Sequence, residues 1–142
     1  MRHTDKTSRL ALSAALLVWV STATAADLTI EVKGITNDKG SVLAAIYDKK
    51  ETWMKTSVGT AQAAAKQGVV TLTFKDLADG EYAASLFHDE NGSGKLDRNA
   101  FGIPTEPYGF SMDARGNFGP PPFERAKFKL DANTRSIVVN FK

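Results

Sequence analysis

Apolar residues in this chain recur with a period of two, and only over short runs. Leu28, Ile30 and Val32 alternate with Thr29, Glu31 and Lys33. Successive side chains leave a strand on opposite faces, so this pattern marks a strand with one buried face. Ser41–Asp48 (SVLAAIYD) is more continuously apolar and suits a central strand. Val69–Phe74 (VVTLTF) is rich in β-branched residues, which favour a pleated surface. Glu81–His88, Ala126–Leu130 and Arg135–Phe141 continue the series. Gly59–Lys66 alternates weakly, and its alanines suit a helix as well. Lys49–Thr56 breaks the alternation and predicts a helical turn, with Trp53 and Met54 capping an end of the core. Turn chemistry at Gly34–Gly40, Gln67–Gly68, Asp76–Gly80 and Asp131–Thr134 separates the runs. About seven short strands, with turns every roughly 8–12 residues and no long 3.6-residue period, predict an all-β fold: a single antiparallel β-sandwich.

The N-terminal end has a different logic. Arg2, Lys6 and Arg9 form a positive region, Leu10–Val20 is an apolar run, and Ala23-Thr24-Ala25 supplies small residues for cleavage before Ala26. Residues 1–25 are therefore expected to be a secretory signal peptide, and residues 26–142 the β-sandwich domain. The alternative is an uncleaved membrane anchor, but the apolar run falls short of the ~18 residues that a spanning helix needs, and with no second apolar segment no membrane association is expected after cleavage. The expected location is the periplasm or the medium. Loss of three Lys/Arg and one Asp with the leader takes the formal charge from +2 to zero. Nucleic acid is then not an expected partner, for want of a basic surface. There is no cysteine, so the exported domain must hold together on its core alone.

All five prolines, six of the eleven glycines and five of the eight phenylalanines fall within residues 87–125. Two loops can be read there. In the first, Asp89, Asn91, Ser93 and Asp97 place oxygen side chains at alternate positions, and Gly94 allows a sharp bend. With the Lys95 carbonyl they offer about five oxygens to a hard cation, and Ca²⁺ takes six to eight at ~2.3–2.6 Å. The opening matches an EF-hand loop, but Ala100 stands where a bidentate Glu belongs, and Glu90, Glu106 or Asp113 would have to complete the shell. The same residues suit an ion-free turn, Asn91-Gly92 being a hairpin signal. His88, beside them, reads either as a packed residue or as a functional one.

The second loop, Phe101–Arg125, is too long for an ordinary connection, since structureless loops beyond ~12–15 residues are usually functional or disordered. Phe101, Ile103, Tyr108, Phe110, Phe118 and Phe123 predict a loop packed on its own aromatics. Pro120-Pro121-Pro122 predicts an extended polyproline stretch. Arg115 and Arg125 lie among Glu106, Asp113 and Glu124. They read as salt bridges pinning the loop, or as an arginine offered to an anionic ligand.

Two resemblances add to this reading. Asp79-Gly80-Glu81-Tyr82 resembles the start of a strand in transthyretin-like and prealbumin-like sandwiches. HDENGSGKLD, FGIPTEPYGFS and ARGNFGPPPFE resemble the signature of the exported bacterial family called domain of unknown function 2141, with Ser93 and Pro107 standing where Asn and Gly are expected. That resemblance implies a secreted single-domain β-sandwich and supplies no catalytic residues. The expected function is non-enzymatic. Asp89, Asn91, Ser93, Lys95 and Asp97 bind Ca²⁺, and the 101–125 loop of a monomer is presented to a protein, glycan or envelope component. An envelope enzyme built on His88, Asp89 and Glu106 or Asp113 is the first alternative, an assembly or adhesion subunit the second. The sequence holds no GxSxG or HExxH motif and only one histidine after the leader.

Overall fold

The computed structural model describes residues 15–20 and 24–142. Most of the expected leader, including its positive region and Ala23, lies outside the described residues. Leu16–Val20 are exposed and carry no secondary structure.

Among the described residues eight strands form two sheets, with one four-residue helix and two short 3₁₀ turns. The first sheet has the order β4-β1-β8, from β1 (Ala26–Ile35), β4 (Gly68–Leu77) and β8 (Ser136–Asn140). The second has the order β3-β2-β5-β6, from β2 (Ser41–Tyr47), β3 (Gly59–Ala64), β5 (Gly80–Asp89) and β6 (Tyr108–Phe110), and β7 (Phe128–Leu130) also pairs with β5. Two expectations are corrected. There are eight strands rather than seven, because Tyr108–Phe110 pairs with Ser85–Phe87. The pairing is not wholly antiparallel, because β1 runs parallel to β8.

Leu28, Ile30 and Val32 on β1, Leu72 and Phe74 on β4, Val42 and Ile46 on β2, and Leu86 on β5 are buried in one core shared by both sheets. Leu28, Ile30 and Val32 are the residues picked out by the period of two. Each buried Val, Leu or Ile contributes about 1.5–3 kcal/mol. Gly59–Ala64 is a strand and not a helix: Ala61 and Ala63 face the core while Thr60 and Gln62 are exposed.

One edge of β5 is completed piecemeal. Pro107 accepts the His88 N–H, β6 pairs with residues 85–87, and β7 pairs with residues 80–82. Between those two partners the fully buried Ser111 hydroxyl accepts the Ala84 N–H at 2.8 Å and donates to the Ala126 carbonyl. A buried main-chain group without a partner is costly, and Ser111 answers that cost in a gap that no strand fills. The chain thus runs antiparallel along β5 from Pro107 to Leu130, with residues 112–127 as an excursion.

That excursion is pinned to the outer face of β5 by Trp53. Its indole N–H donates to the Pro121 carbonyl at 2.8 Å. Its ring meets Tyr47 edge-on at 4.9 Å, Phe110 at 6.0 Å and Phe123 at 6.1 Å. Phe123 and Ala126, from the short helix α1 (Phe123–Ala126), cover Ala83 in a second, smaller core. Trp53 therefore packs on this outer layer rather than capping the main core, and Met54 is exposed.

Ser111→Ala should destabilise the protein by about 1–3 kcal/mol, since it strands two buried main-chain groups; chemical denaturation reads the loss. Trp53→Ala should cost about 3 kcal/mol or more and Trp53→Phe about 1 kcal/mol, the difference being ring packing against one hydrogen bond. Limited proteolysis of Trp53→Ala should cut first between residues 114 and 122. Protection equal to that of the parent chain would show that Trp53 does not hold the excursion.

Candidate functional site

The 89–97 loop leaves the end of β5 and turns back at once. Asp89, almost fully buried, accepts the Ser93 N–H at 3.0 Å on one oxygen and the Gly94 N–H at 2.8 Å on the other. Gly94 has φ +77°, the left-handed conformation that glycine adopts without strain. The Asn91 amide oxygen accepts the Ser93 N–H as well, at 3.1 Å, and its nitrogen donates to Asp97 Oδ2. The turn before β2 abuts the loop's base so closely that a Cβ on Gly40 would lie 1.9 Å from the Asp89 carbonyl oxygen.

Glu106 closes the loop. Its carboxylate is buried and accepts the Glu90 N–H and the Asp97 N–H, each at 3.0 Å. One side chain therefore ties both ends of the turn together. Two charge-assisted bonds of this kind are each worth about 1.5–3 kcal/mol.

All five residues expected to bind an ion come together around Ser93. Its hydroxyl oxygen lies 2.9 Å from the Lys95 carbonyl, 3.2 Å from Asp97 Oδ1 and 3.4 Å from Asp89 Oδ1. One hydroxyl proton can serve only one of these three oxygens. The other two approaches bring lone pairs together with no hydrogen between them. Such spacings match the edges of a Ca²⁺ shell, where ligands at ~2.3–2.6 Å from the ion sit about 3 Å apart. Only two of the five residues expected to bind an ion are carboxylates, and among the described residues no three His, Cys, Asp or Glu side chains converge as a metal group.

Of the four groups named for the acid–base alternative, Asp89 and Glu106 both accept main-chain N–H groups of the 89–97 turn, whereas His88 and Asp113 face elsewhere. His88 is fully buried and follows Tyr82, Ala84 and Leu86 on the core side of β5, whereas Asp89 leaves by the opposite face. A carbonyl can only accept, so the contact between His88 Nε2 and the Lys39 carbonyl assigns the proton to Nε2. His88 Nδ1 has no hydrogen-bond partner and lies 3.9 Å from Glu90 Oε1. Both Glu106 oxygens are engaged by main chain, and Asp113 is occupied elsewhere, accepting from Asn140 N at 2.9 Å and Asn140 Nδ2 at 2.8 Å. Asp113, held by Asn140, thus does not extend the oxygen set around Ser93.

Beyond the loop, residues 97–105 form a small hairpin. Thr105 donates to the Asp97 carbonyl at 2.8 Å and Asn99 to the Ile103 carbonyl at 2.9 Å, while Asn99 Oδ1 accepts from Phe101 and Ile103. The hairpin projects Phe101 and Ile103 outward. Here the packed-loop expectation fails: Phe101 is 88% exposed and Phe118 fully exposed, and only Phe110 and Phe123 of the six named residues are buried. The expected salt bridges of Arg115 and Arg125 are also absent among the described residues; Glu124 pairs with Lys127 at 2.9 Å instead.

The exposed rings frame an open cleft of about 980 Å³ over the outer face of the second sheet. Leu43 and Ala45 on β2 and Ser85 and Phe87 on β5 form its floor, all half-buried. Phe101, Ile103 and Phe118 stand at its walls, and Gly94 and Leu96 of the 89–97 loop line it too. The sequence carried one signal of this cleft: Ser41–Tyr47 is apolar on both faces, which a strand open to water on one side would not need.

Comparison with known proteins gives a family and no closer relative. No curated protein and no solved structure matches the chain. One family model, described as uncharacterized protein conserved in bacteria (DUF2141), matches residues 30–138, which takes in β2 to β7 whole and most of β1 and β8. The stretch that builds the loop, the hairpin and the cleft lies wholly inside that match, and the chain belongs to the bacterial family domain of unknown function 2141.

Proposed function

We propose that the protein is a non-enzymatic, exported β-sandwich whose 89–97 loop binds Ca²⁺ and whose 101–125 loop presents an apolar recognition cleft. The observation that carries this reading is the cleft itself. Large apolar side chains are held out to water by a hydrogen-bonded hairpin instead of folding onto the core a few residues away. Exposed apolar patches of this kind mark interaction sites. Phe118 adds to it, since its φ of +60° is unusual for a bulky residue and its ring covers nothing. The leader-like composition of residues 1–25 supports export, and two sheets facing one core support the sandwich class. The engagement of His88, Asp89 and Glu106 by main-chain groups speaks for a binding role over acid–base chemistry.

Ca²⁺ enters through the oxygens around Ser93. Two carboxylates, a carbonyl, a hydroxyl and an amide oxygen offset the ion's charge without the bidentate Glu of a tight site, so the affinity belongs in the range of ~10⁻⁴–10⁻³ M. Its effect reaches the cleft because Gly94 and Leu96 belong to both.

Thermal unfolding in about 5 mM CaCl₂ against EDTA tests the ion site. A Kd near 0.5 mM adds roughly 1.4 kcal/mol, a Tm rise of about 4–8 °C. Asp97→Asn is the informative variant, because the Asp97 side chain accepts no main-chain N–H: the calcium-dependent rise should vanish while the Tm in EDTA stays close to that of the parent chain. Asp89→Ala should lose the rise and lower the Tm in EDTA as well, since two N–H groups lose their acceptor. A rise that survives in both variants places the ion elsewhere. Glu106→Gln turns one oxygen into a donor facing another donor, and should cost about 1–3 kcal/mol with or without calcium; an unchanged denaturation midpoint would remove Glu106 as the loop's clamp.

A further inference from the structure

We propose that the cleft takes a single-chain anionic amphiphile, with its hydrocarbon chain along Leu43, Ala45 and Phe87 and its anionic head on Arg98. This rests on the cleft reading above and specifies its ligand. Among the described residues Arg98 is the only charged side chain that lines the cleft. It sits on the hairpin that carries Phe101 and Ile103, where one guanidinium N–H donates to the Gly102 carbonyl at 2.9 Å. Among the described residues it forms no ion pair, so four N–H donors remain for a ligand. A guanidinium accepts a carboxylate on two parallel bonds, and gains more from it beside an apolar wall than in open water.

The rest of the lining selects the body of the ligand. Apart from two tyrosines, the other polar side chains are Thr60, Gln62 and Ser85. A glycan bears a hydroxyl on nearly every carbon and would leave most of them without a partner here. A hydrocarbon chain needs none. About 980 Å³ lies at the upper end of the usual size of small-molecule sites and leaves ample room for one chain. One anion on one apolar chain describes a free fatty acid.

The test uses the whole protein and N-phenyl-1-naphthylamine, a neutral apolar probe whose fluorescence rises on burial. Laurate should displace it at a concentration at least about tenfold below that of dodecan-1-ol, the worth of one charge-assisted contact. Arg98→Gln should bring the laurate curve up to the dodecanol curve and leave the latter where it was. Ala45→Trp, which fills the floor, should weaken both. Equal displacement by laurate and dodecanol in the parent chain, or a laurate curve untouched by Arg98→Gln, overturns the anionic head and leaves the cleft standing. Absence of probe binding, or curves that Ala45→Trp does not move, overturns the cleft reading itself. Sedimentation with phosphatidylglycerol vesicles tests the alternative: displacement by laurate without sedimentation supports the free chain, and Arg98-dependent sedimentation that laurate does not reverse gives the anion to a two-chain bilayer lipid and overturns the proposal. Vesicle binding that Arg98→Gln leaves unchanged, with no effect of laurate, overturns the proposal.

Discussion

The architecture turns on the unfinished edge of β5. β2 satisfies one side of that strand over its last seven residues, and the other side has no full-length partner. The chain returns to this edge twice, as Pro107–Ser111, with the Ser111 hydroxyl extending the β6 pairing, and as Phe128–Leu130. Unpaired main-chain groups in the interior cost too much to leave, so each return is obligatory. What the chain does between returns is free. The 90–106 and 112–127 segments are the two excursions that this arrangement allows, and both are used to build the outer face of the sheet.

Each excursion needs its own fastening, because neither has a ladder to hold it. Glu106 fastens the first by gathering two N–H groups on one carboxylate. Trp53 fastens the second through the Pro121 carbonyl and three aromatic neighbours. The polyproline segment suits the second role, since prolines give up few conformations when pinned and leave their carbonyls free to accept. The fastenings stop short of the floor over Leu43, Ala45 and Phe87, and that uncovered part of the sheet is the cleft.

The alternation at Leu28–Val32 was legible because half-burial imposes a period of two whatever the partner strand, and Val69–Phe74 was legible through its β-branched residues. The parallel pairing of β1 with β8 was not, since it joins the two ends of the domain and leaves no local trace. β6 escaped because three residues, Tyr108-Gly109-Phe110, carry no period at all. At the loop, alternate oxygens from Asp89 to Asp97 were readable as a set that one tight turn could gather. The clamp was harder to read: Glu106 stood among several candidate acids, and only the fold turns it toward two N–H groups. The exposed phenylalanines reversed the expectation for a physical reason. Hydrophobicity states what a side chain would gain from burial, whereas the hairpin bonds made by Asn99 decide where Phe101 and Ile103 can point.

The loop and the cleft are two parts of one mechanical unit. Leu96 belongs to a turn whose geometry is set by Asp89 and Glu106, and it is also a wall of the cleft. Asp97 gives its N–H to Glu106, its carbonyl to Thr105 at the foot of the hairpin, and one carboxylate oxygen to the set around Ser93. A cation held by that set would stiffen the residue from which the Phe101 hairpin springs. Linkage then works in both directions: whatever ordering of the wall the ion supplies, a ligand in the cleft need not supply again, and a ligand that orders the wall tightens the ion site by the same factor. Leu96 of the cleft wall and Asp97 of the oxygen set are neighbours in one turn, so a cation at the second and a ligand against the first would favour the same arrangement.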